Sequence, residues 1–228
     1  MSEPLHSVVM PVLNGEKHIA EALRSALPQL GAHDEILVVD NGSIDATREI
    51  VGQFADSRLH RLSAARRGPS AARNVGLGAA RGRYVSFMDH DDLWPEGRMA
   101  GLLGTLRSMP GADAAHGRMR LRVEVSEARS IAQLDGRHLP NLVVITYLFE
   151  RELLARAGFF DETLIQGEDT DYLLRLQAAG MRSVAYDGDA VIYRRHGGNL
   201  SASPAEVAKG TMQVIGRHIA RRRAEQQG

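Results

Sequence analysis

Residues 35–43 read Glu-Ile-Leu-Val-Val-Asp-Asn-Gly-Ser, an unbroken apolar run that ends on a carboxylate and a turn-forming Asn-Gly-Ser. A strand with one wet face alternates polar and apolar residues. The absence of alternation from Glu35 to Asp40 therefore predicts a strand covered on both faces, as in a parallel sheet. After the turn, Ile50, Val51 and Phe54 predict a helix. Upstream, His6 to Leu13 (HSVVMPVL) is a second such strand, followed by Ile19, Ala22, Leu23, Ala26, Leu27 and Leu30 on one helical stripe. Downstream, Arg58 to Leu62 predicts a third strand, and Pro69 opens a small-residue helix through Ala80. Arg83 to Met88 is the next strand and runs into Asp89-His90-Asp91-Asp92; Pro95 then opens a helix with Leu102, Leu103, Leu106 and Met109 on one face. Strands alternating with helices predict an α/β fold, a mixed sheet flanked by helices.

Beyond Pro110 the pattern weakens. Residues 112–141 predict strands and loops in no assigned order, Leu142 to Phe149 a buried strand, and Arg151 to Ala157 a short helix ended by Gly158. A helix is predicted from Glu168 to Ala179, closed by Gly180, then strands at Arg182–Tyr186 and Ala190–Arg194 and a loop at His196–Asn199. Ser203-Pro204-Ala205-Glu206 is a capping box opening a last helix that carries Val207, Thr211, Val214, Ile215 and Ile219 inward. No repeat or low-complexity linker interrupts the chain, so residues 1–228 read as one domain.

Composition narrows the function. Of 228 residues, 43% are hydrophobic and 25% charged, which excludes disordered, collagen-like and coiled-coil chains. There is no cysteine, so disulfides, thiolate metal sites and cysteine nucleophiles are excluded, which suits a reducing compartment. The longest apolar run, Leu142 to Phe149, falls far short of the roughly 20 residues that span a bilayer. Met1 to His6 lacks the basic residues and apolar core of a secretory signal, so the expected location is cytoplasmic. Twenty-eight basic residues balance twenty-eight acidic ones, so no global field recruits nucleic acid. All but Lys17 and Lys209 of the basic residues are arginine, a skew that matches genomic base composition as well as a taste for phosphate.

Ligands of open α/β sheets bind beyond the carboxyl ends of the strands, where Asp40, Asp89 and Asp91 are expected to meet. Three carboxylates within Asp89–Asp92 repel one another. A hard divalent cation, Mg²⁺ or Mn²⁺, would relieve them; helix capping is the alternative, for which one aspartate suffices. Asp40-Asn41-Gly42-Ser43 offers acceptors and free amides for a base and ribose, or an Asx turn capping the next helix. Arg73, on a helix of small residues, either enters a cleft or is solvated. Glu168 and Asp169 favour the positive end of a helix; alternatively Asp169 is a general base kept deprotonated by that dipole. His196 and Asn199 read as a metal ligand and a phosphate contact, or as incidental loop residues. Gly76-Leu77-Gly78-Ala79-Ala80-Arg81-Gly82 is not a dinucleotide fingerprint, because its third glycine comes one residue late and it ends a helix.

Taken together, Ser7–Gly15, Glu35–Asp45, Ala72-Arg73-Asn74, Asp89-His90-Asp91-Asp92, Gly167-Glu168-Asp169 and the late Tyr193-Arg194-Arg195-His196 with Asn199 resemble family 2 glycosyltransferases in order and spacing, over residues 5 to about 201. The resemblance implies a GT-A fold, with a nucleotide-sugar-binding half over about 1–110, an acceptor and catalytic half over about 111–203, and a C-terminal helix over 204–228. It implies inverting transfer of one sugar from a nucleotide-diphospho-sugar, UDP-linked by expectation, to a saccharide, lipid-linked or small-molecule acceptor. By motif match, Pro11, Val12, Asn14, Asp40, Asn41, Arg73, Asp89, His90 and Asn199 would line the donor site, and Asp91, Asp89 and His196 would hold Mn²⁺ or Mg²⁺. Asp169, beside Glu168, would be the base. Asn41 departs from the pattern, since many relatives carry a second aspartate there, and leaves the nucleotide open.

Two alternatives compete. A nucleotidyltransferase would place a Gly-rich basic signature where Pro11-Val12-Leu13-Asn14-Gly15 stands. A catalytically silent sugar-nucleotide binder would have no need of both Asp91 and Asp169. Arg217, Arg221, Arg222 and Arg223 near the C-terminus suit a solvated helix end or peripheral contact with anionic lipid at the inner membrane face.

Overall fold

The structure is a computed structural model that describes residues 5–66, 68–124, 134–139, 143–164, 166–196, 210, 212 and 214–218. The first half alternates as its sequence dictates: β1 (His6–Val12), α1 (Ile19–Ala26), β2 (Glu35–Asp40), α2 (Thr47–Gly52), β3 (Leu59–Ser63), α3 (Pro69–Ala79), β4 (Tyr84–Phe87) and α4 (Arg98–Ser108). The second half contributes β5 (Ala114–Val123), β6 (His138–Leu139), β7 (Tyr147–Glu150), α5 (Arg151–Ala157), α6 (Glu168–Ala178) and β8 (Ser183–Arg195). One sheet holds all eight strands in the order β3-β2-β1-β4-β7-β5-β6, with β8 beside β5. β1, β2, β3 and β4 run parallel, whereas β7 is antiparallel to β4 and β5.

Period-two alternation explains the two cores. Val8, Met10 and Val12 of β1 with Ile36 and Val38 of β2 face Ile19, Leu23 and Leu102, whereas Val9, Leu37, Val85 and Phe87 face the opposite layer with Leu153, Tyr172 and Leu176. Both faces of the sheet are thus covered, as the unbroken apolar run of β2 requires. At the start of the strands, buried Glu35 is clamped by the Ser7 hydroxyl at 2.6 Å and by Arg81, whose Nη2 lies 2.6 Å from Oε2. Burial favours protonation of Glu35, but these donors hold its carboxyl below its ordinary value.

Gly76, in the stretch that mimics a dinucleotide fingerprint, serves packing. A Cβ there would lie 2.3 Å from Val9 Cγ1, so α3 approaches β1 only because the side chain is missing. Arg98, which the sequence pattern gave no reason to bury, is fully buried; its Nε donates to the Ala190 carbonyl at 2.7 Å and its Nη2 to the Ile145 carbonyl at 3.1 Å. Its guanidinium lies 4.0 Å from the Trp94 ring.

Several expectations need correction. The run at 142–149 is not one strand: Val144–Thr146 forms a 3₁₀ turn and only Tyr147–Glu150 pairs in the sheet. A short apolar run has no periodicity to separate burial under a helix from burial in a sheet. The two strands expected at 182–194 are one, β8; register shifts beside β5 near Gly117 accommodate Asp187-Gly188-Asp189 as a bulge where the sequence suggests a break. Met109 is exposed, because α4 ends at Ser108. In the C-terminal helix Val214 is buried but Ile215 is exposed; Val207, Thr211, Ile219 and the capping box at 203–206 lie outside the described residues.

The packing of α3 on β1 yields a stability prediction. Gly76→Val should lower the free energy of unfolding by roughly 2–3 kcal/mol, the upper part of the overpacking range, since stiff Val9 and Val39 cannot yield. Urea denaturation checks this.

Candidate active site

β1, β2 and β4 end at one edge of the sheet, and the loops that follow them interlock there. Pro11 and Val12 close β1, buried against Val39 and Asp40 of β2. Asn14, at φ 52°, accepts the Ile44 N–H at 3.0 Å, and its own N–H donates to the Ser43 hydroxyl at 2.9 Å. A Cβ on Gly15 would come within 2.6 Å of the His90 ring, so this glycine lets the 89–92 loop lie against the 13–15 loop. Asp40 accepts the Ser43 N–H at 2.9 Å and pairs with Arg48. Burial opposes ionisation of Asp40, yet Ser43 and Arg48 hold its carboxyl below its ordinary value. Both ends of the Asn41 amide serve the backbone: Nδ2 donates to the Arg66 carbonyl at 2.8 Å and Oδ1 accepts the Gly68 N–H at 2.7 Å.

The carboxylates of Asp89-His90-Asp91-Asp92 have three different partners. Asp89 pairs with Arg73 at 2.9 Å and Asp91 Oδ2 lies 3.1 Å from His196 Nε2. Asp92, fully buried, accepts the Arg194 N–H at 2.9 Å. Burial, then Asp91 and Asp89, push the Asp92 carboxyl well above its ordinary value, which favours its neutral form. The repulsion evident in the sequence is therefore met within the protein, without all three side chains turning to one ion.

Arg73 is not solvated. Its side chain, 4% exposed, reaches Asp89 on one side and Glu168 (3.0 Å) and Asp169 (3.2 Å) on the other. Burial alone would make its charge costly, but Asp169, Asp89 and Glu168 hold the guanidinium firmly ionised. Asn74, its neighbour, exchanges hydrogen bonds with the Phe160 backbone, at 2.8 Å to the N–H and 3.0 Å to the carbonyl, and so fixes α3 against the segment before α6. Arg73 and Glu168, which meet here, are 95 positions apart in sequence. Asp169 and the Asp89–Asp91 loop therefore border one site.

The helix dipole alone predicts a readily ionised Asp169. Instead, burial lifts its carboxyl to about 7, opposed by Arg73 and reinforced by Glu168 and Asp89. The Val144 N–H, at 3.3 Å from Oδ2, contributes a smaller opposing effect. Removal from water thus outweighs the first-turn position. A carboxyl poised near neutrality can accept a proton and release it again.

Among the described residues no group of three or more histidine or acidic side chains is placed to hold a metal ion. Asp91 and His196, from two distant parts of the chain, do come together. Their 3.1 Å separation matches the edge of about 3 Å in an octahedron with metal–ligand bonds near 2.1 Å. An oxygen and an imidazole nitrogen are donors that would suit Mn²⁺ or Mg²⁺. Asn199 lies outside the described residues.

Residues 7–153 match the model of the family described as Glycosyl transferase family 2. The chain belongs to this family. Among curated relatives, the succinoglycan biosynthesis protein ExoO of Rhizobium meliloti (strain 1021) is 32% identical over 85% of this chain and 61% of its own length. The fold of this family 2 member is GT-A, and it is similar to S. aureus TarS in complex with UDP-GlcNAc, with a TM-score of 0.74 at 20% identity over 92% of this chain and 65% of that one. It is also similar to glucosyl-3-phosphoglycerate synthase of Mycobacterium tuberculosis in complex with Mn²⁺, UDP-Glc and phosphoglyceric acid, with a TM-score of 0.64 at 24% identity over 93% of this chain and 77% of that one. The chain thus spans less than two thirds of ExoO and of the TarS chain.

Two residues beside the site receive no role from the sequence motifs. His18, just before α1, stacks on His196, and Arg194 reaches His18, Glu21 and Glu124. Arg194 stands inside the late Tyr193–His196 motif, but nothing local marks His18.

Arg73→Met leaves three carboxylates around an uncompensated site and should cost about 3–5 kcal/mol of stability near pH 8. Without the guanidinium, Asp169 keeps its proton to a higher pH than in wild type, so the extra penalty of ionising it shrinks as pH falls towards about 7 and is gone below that. The destabilisation measured by urea unfolding should therefore be larger at pH 8 than at pH 5.5.

Proposed function

We propose that this chain is a metal-dependent, inverting glycosyltransferase that moves one sugar from a UDP-linked sugar donor to an acceptor hydroxyl. The observation that carries this reading is the shared guanidinium of Arg73, which brings Asp169 beside Asp89 and the loop that carries it. Family membership supports sugar transfer, and the UDP-sugars held by TarS and by the phosphoglycerate synthase support the donor class.

In this reading the strand-end loops bind the nucleotide. Pro11, Val12, Asn14, Asp40 and Asn41 line the nucleoside side, and Arg73, Asp89, His90 and Asn199 the ribose and diphosphate side. Asp91 and His196, with Asp89 beside them, would hold Mn²⁺ or Mg²⁺; such an ion neutralises charge that builds on the departing diphosphate. Asp169 takes the proton of the acceptor hydroxyl as its oxygen attacks the anomeric carbon, while the bond from that carbon to the diphosphate oxygen breaks. Attack from the face opposite the leaving group inverts the configuration. Glu168 shares Arg73 and offsets its charge, so the guanidinium does not fully suppress the basicity of Asp169. The acceptor is a saccharide, a lipid-linked or a small molecule.

No helix among the described residues is long and apolar enough to cross a membrane. A cytoplasmic location with peripheral contact at the inner face follows the sequence expectation. Of the C-terminal arginines, Arg217 pairs with Asp161 at 3.0 Å, and Arg221, Arg222 and Arg223 lie outside the described residues.

Two measurements test the reading. With UDP-sugars and Mn²⁺, nucleotide release should be measurable and lost with EDTA; a silent binder would show affinity without release. Asp169→Asn should abolish transfer and leave UDP affinity within a few-fold, and equal loss of both would remove the case for a base. The wild-type rate should fall as pH drops through about 7, because protonated Asp169 cannot accept a second proton.

A further inference from the structure

We propose that His18 is a positioning residue for the cation site, holding the His196 ring in the orientation that presents Nε2 to Asp91. This rests on reading Asp91 and His196 as the half-site for a divalent cation. The two imidazoles are stacked, with centroids 4.5 Å apart and planes 28° apart. Imidazole lone pairs lie in the ring plane, so a contact through the ring face restrains His196 without competing for Nε2. His196 follows β8 directly and reaches Asp91 at 3.1 Å, so the rotation of its ring decides whether the two donors converge.

His18 is itself held. Arg194 Nη1 lies 3.1 Å from His18 Nδ1, and arginine has only donors, so Nδ1 is the acceptor. The same Nη1 lies 2.9 Å from Glu21 on α1 and 3.6 Å from Glu124 beyond β5, and the Arg194 side chain is 3% exposed. The Arg194 N–H donates to Asp92, and Leu93 and Ile192 exchange backbone hydrogen bonds at 2.9 and 3.1 Å. Arg194 therefore fastens the loop that carries Asp91 to β8 through its backbone, and orients His18 through its side chain. One residue sets the position of both donors: Asp91 through the loop, and His196 through the stack. Partners that orient a metal-binding histidine typically contribute tenfold to a hundredfold in affinity.

The test measures Mn²⁺ affinity of the full chain in the presence of UDP, from the electron paramagnetic resonance signal of free Mn²⁺, with thermal midpoints recorded alongside. His18→Phe keeps a flat ring and should bind Mn²⁺ nearly as tightly as wild type. His18→Gln keeps an acceptor for Arg194 but no ring, and like His18→Ala should raise the Kd by about tenfold or more. If His18→Gln and His18→Ala bind as wild type while His196→Ala binds weakly, His18 has no positioning role and the cation half-site stands. If His18→Phe binds as weakly as His18→Ala at an unchanged thermal midpoint, the stack is not what orients His196, and the inference also falls. If wild type and His196→Ala bind Mn²⁺ equally, the half-site reading is wrong and the inference falls with it.

Discussion

The site depends on one buried positive charge. An arginine cannot shed its proton at physiological pH, so a guanidinium out of water must be surrounded by negative groups or carbonyls. Arg73 finds them in Asp89, after β4, and in Glu168 and Asp169, at the start of α6. Its reach depends on how close α3 lies to the sheet, which Gly76 permits by presenting no side chain to Val9. A packing feature in the core thus determines where a charge stands among these carboxylates. The tie is also mutual: carboxylates brought this close would repel one another and the helix would shift, were the guanidinium not between them.

The same constraint explains why neighbouring acids differ. Asp89 is compensated by Arg73, Asp91 faces an imidazole, and Asp92 is buried on a backbone N–H. Asp169 feels Arg73 but is withdrawn from water, so its carboxyl rises to about 7, whereas Asp40, better supplied with donors, falls below its ordinary value. Environments that drive chemically identical groups apart divide the work among them: in the proposed function Asp91 serves the cation and Asp169 the proton, while Asp92 anchors its loop to β8.

Arg194 and Arg98 show a second use of buried arginine. Arg194 joins α1, β8 and the 89–92 loop, and Arg98 gathers carbonyls from β8 and the 3₁₀ turn before β7 beneath Trp94. Both lie where strands from the second half of the chain meet elements of the first. A forked donor with five N–H groups can satisfy several carbonyls and carboxylates at one such junction, which a lysine could not do. The arginine skew of the composition, compatible with base composition alone, here has specific structural uses.

The first half of the fold was legible because its signals are local. An unbroken apolar run, a stripe at helical spacing and a proline at a helix start each act within a few residues, and β1, β2, α3 and β4 match their expected limits closely. The residue types of the site were legible too, since acids at strand ends stand out against apolar runs. What sequence could not decide was everything that depends on distance across the fold. The 142–149 run, the merging of two strands into β8, the burial of Arg73 and Arg98 and the stack of His18 on His196 all follow from tertiary contact. Sequence alone determined which groups were available and which strand ends would carry them; only the tertiary structure decided which charges became partners and which lost water, because Coulomb energy and desolvation depend on separation in space and not on position along the chain.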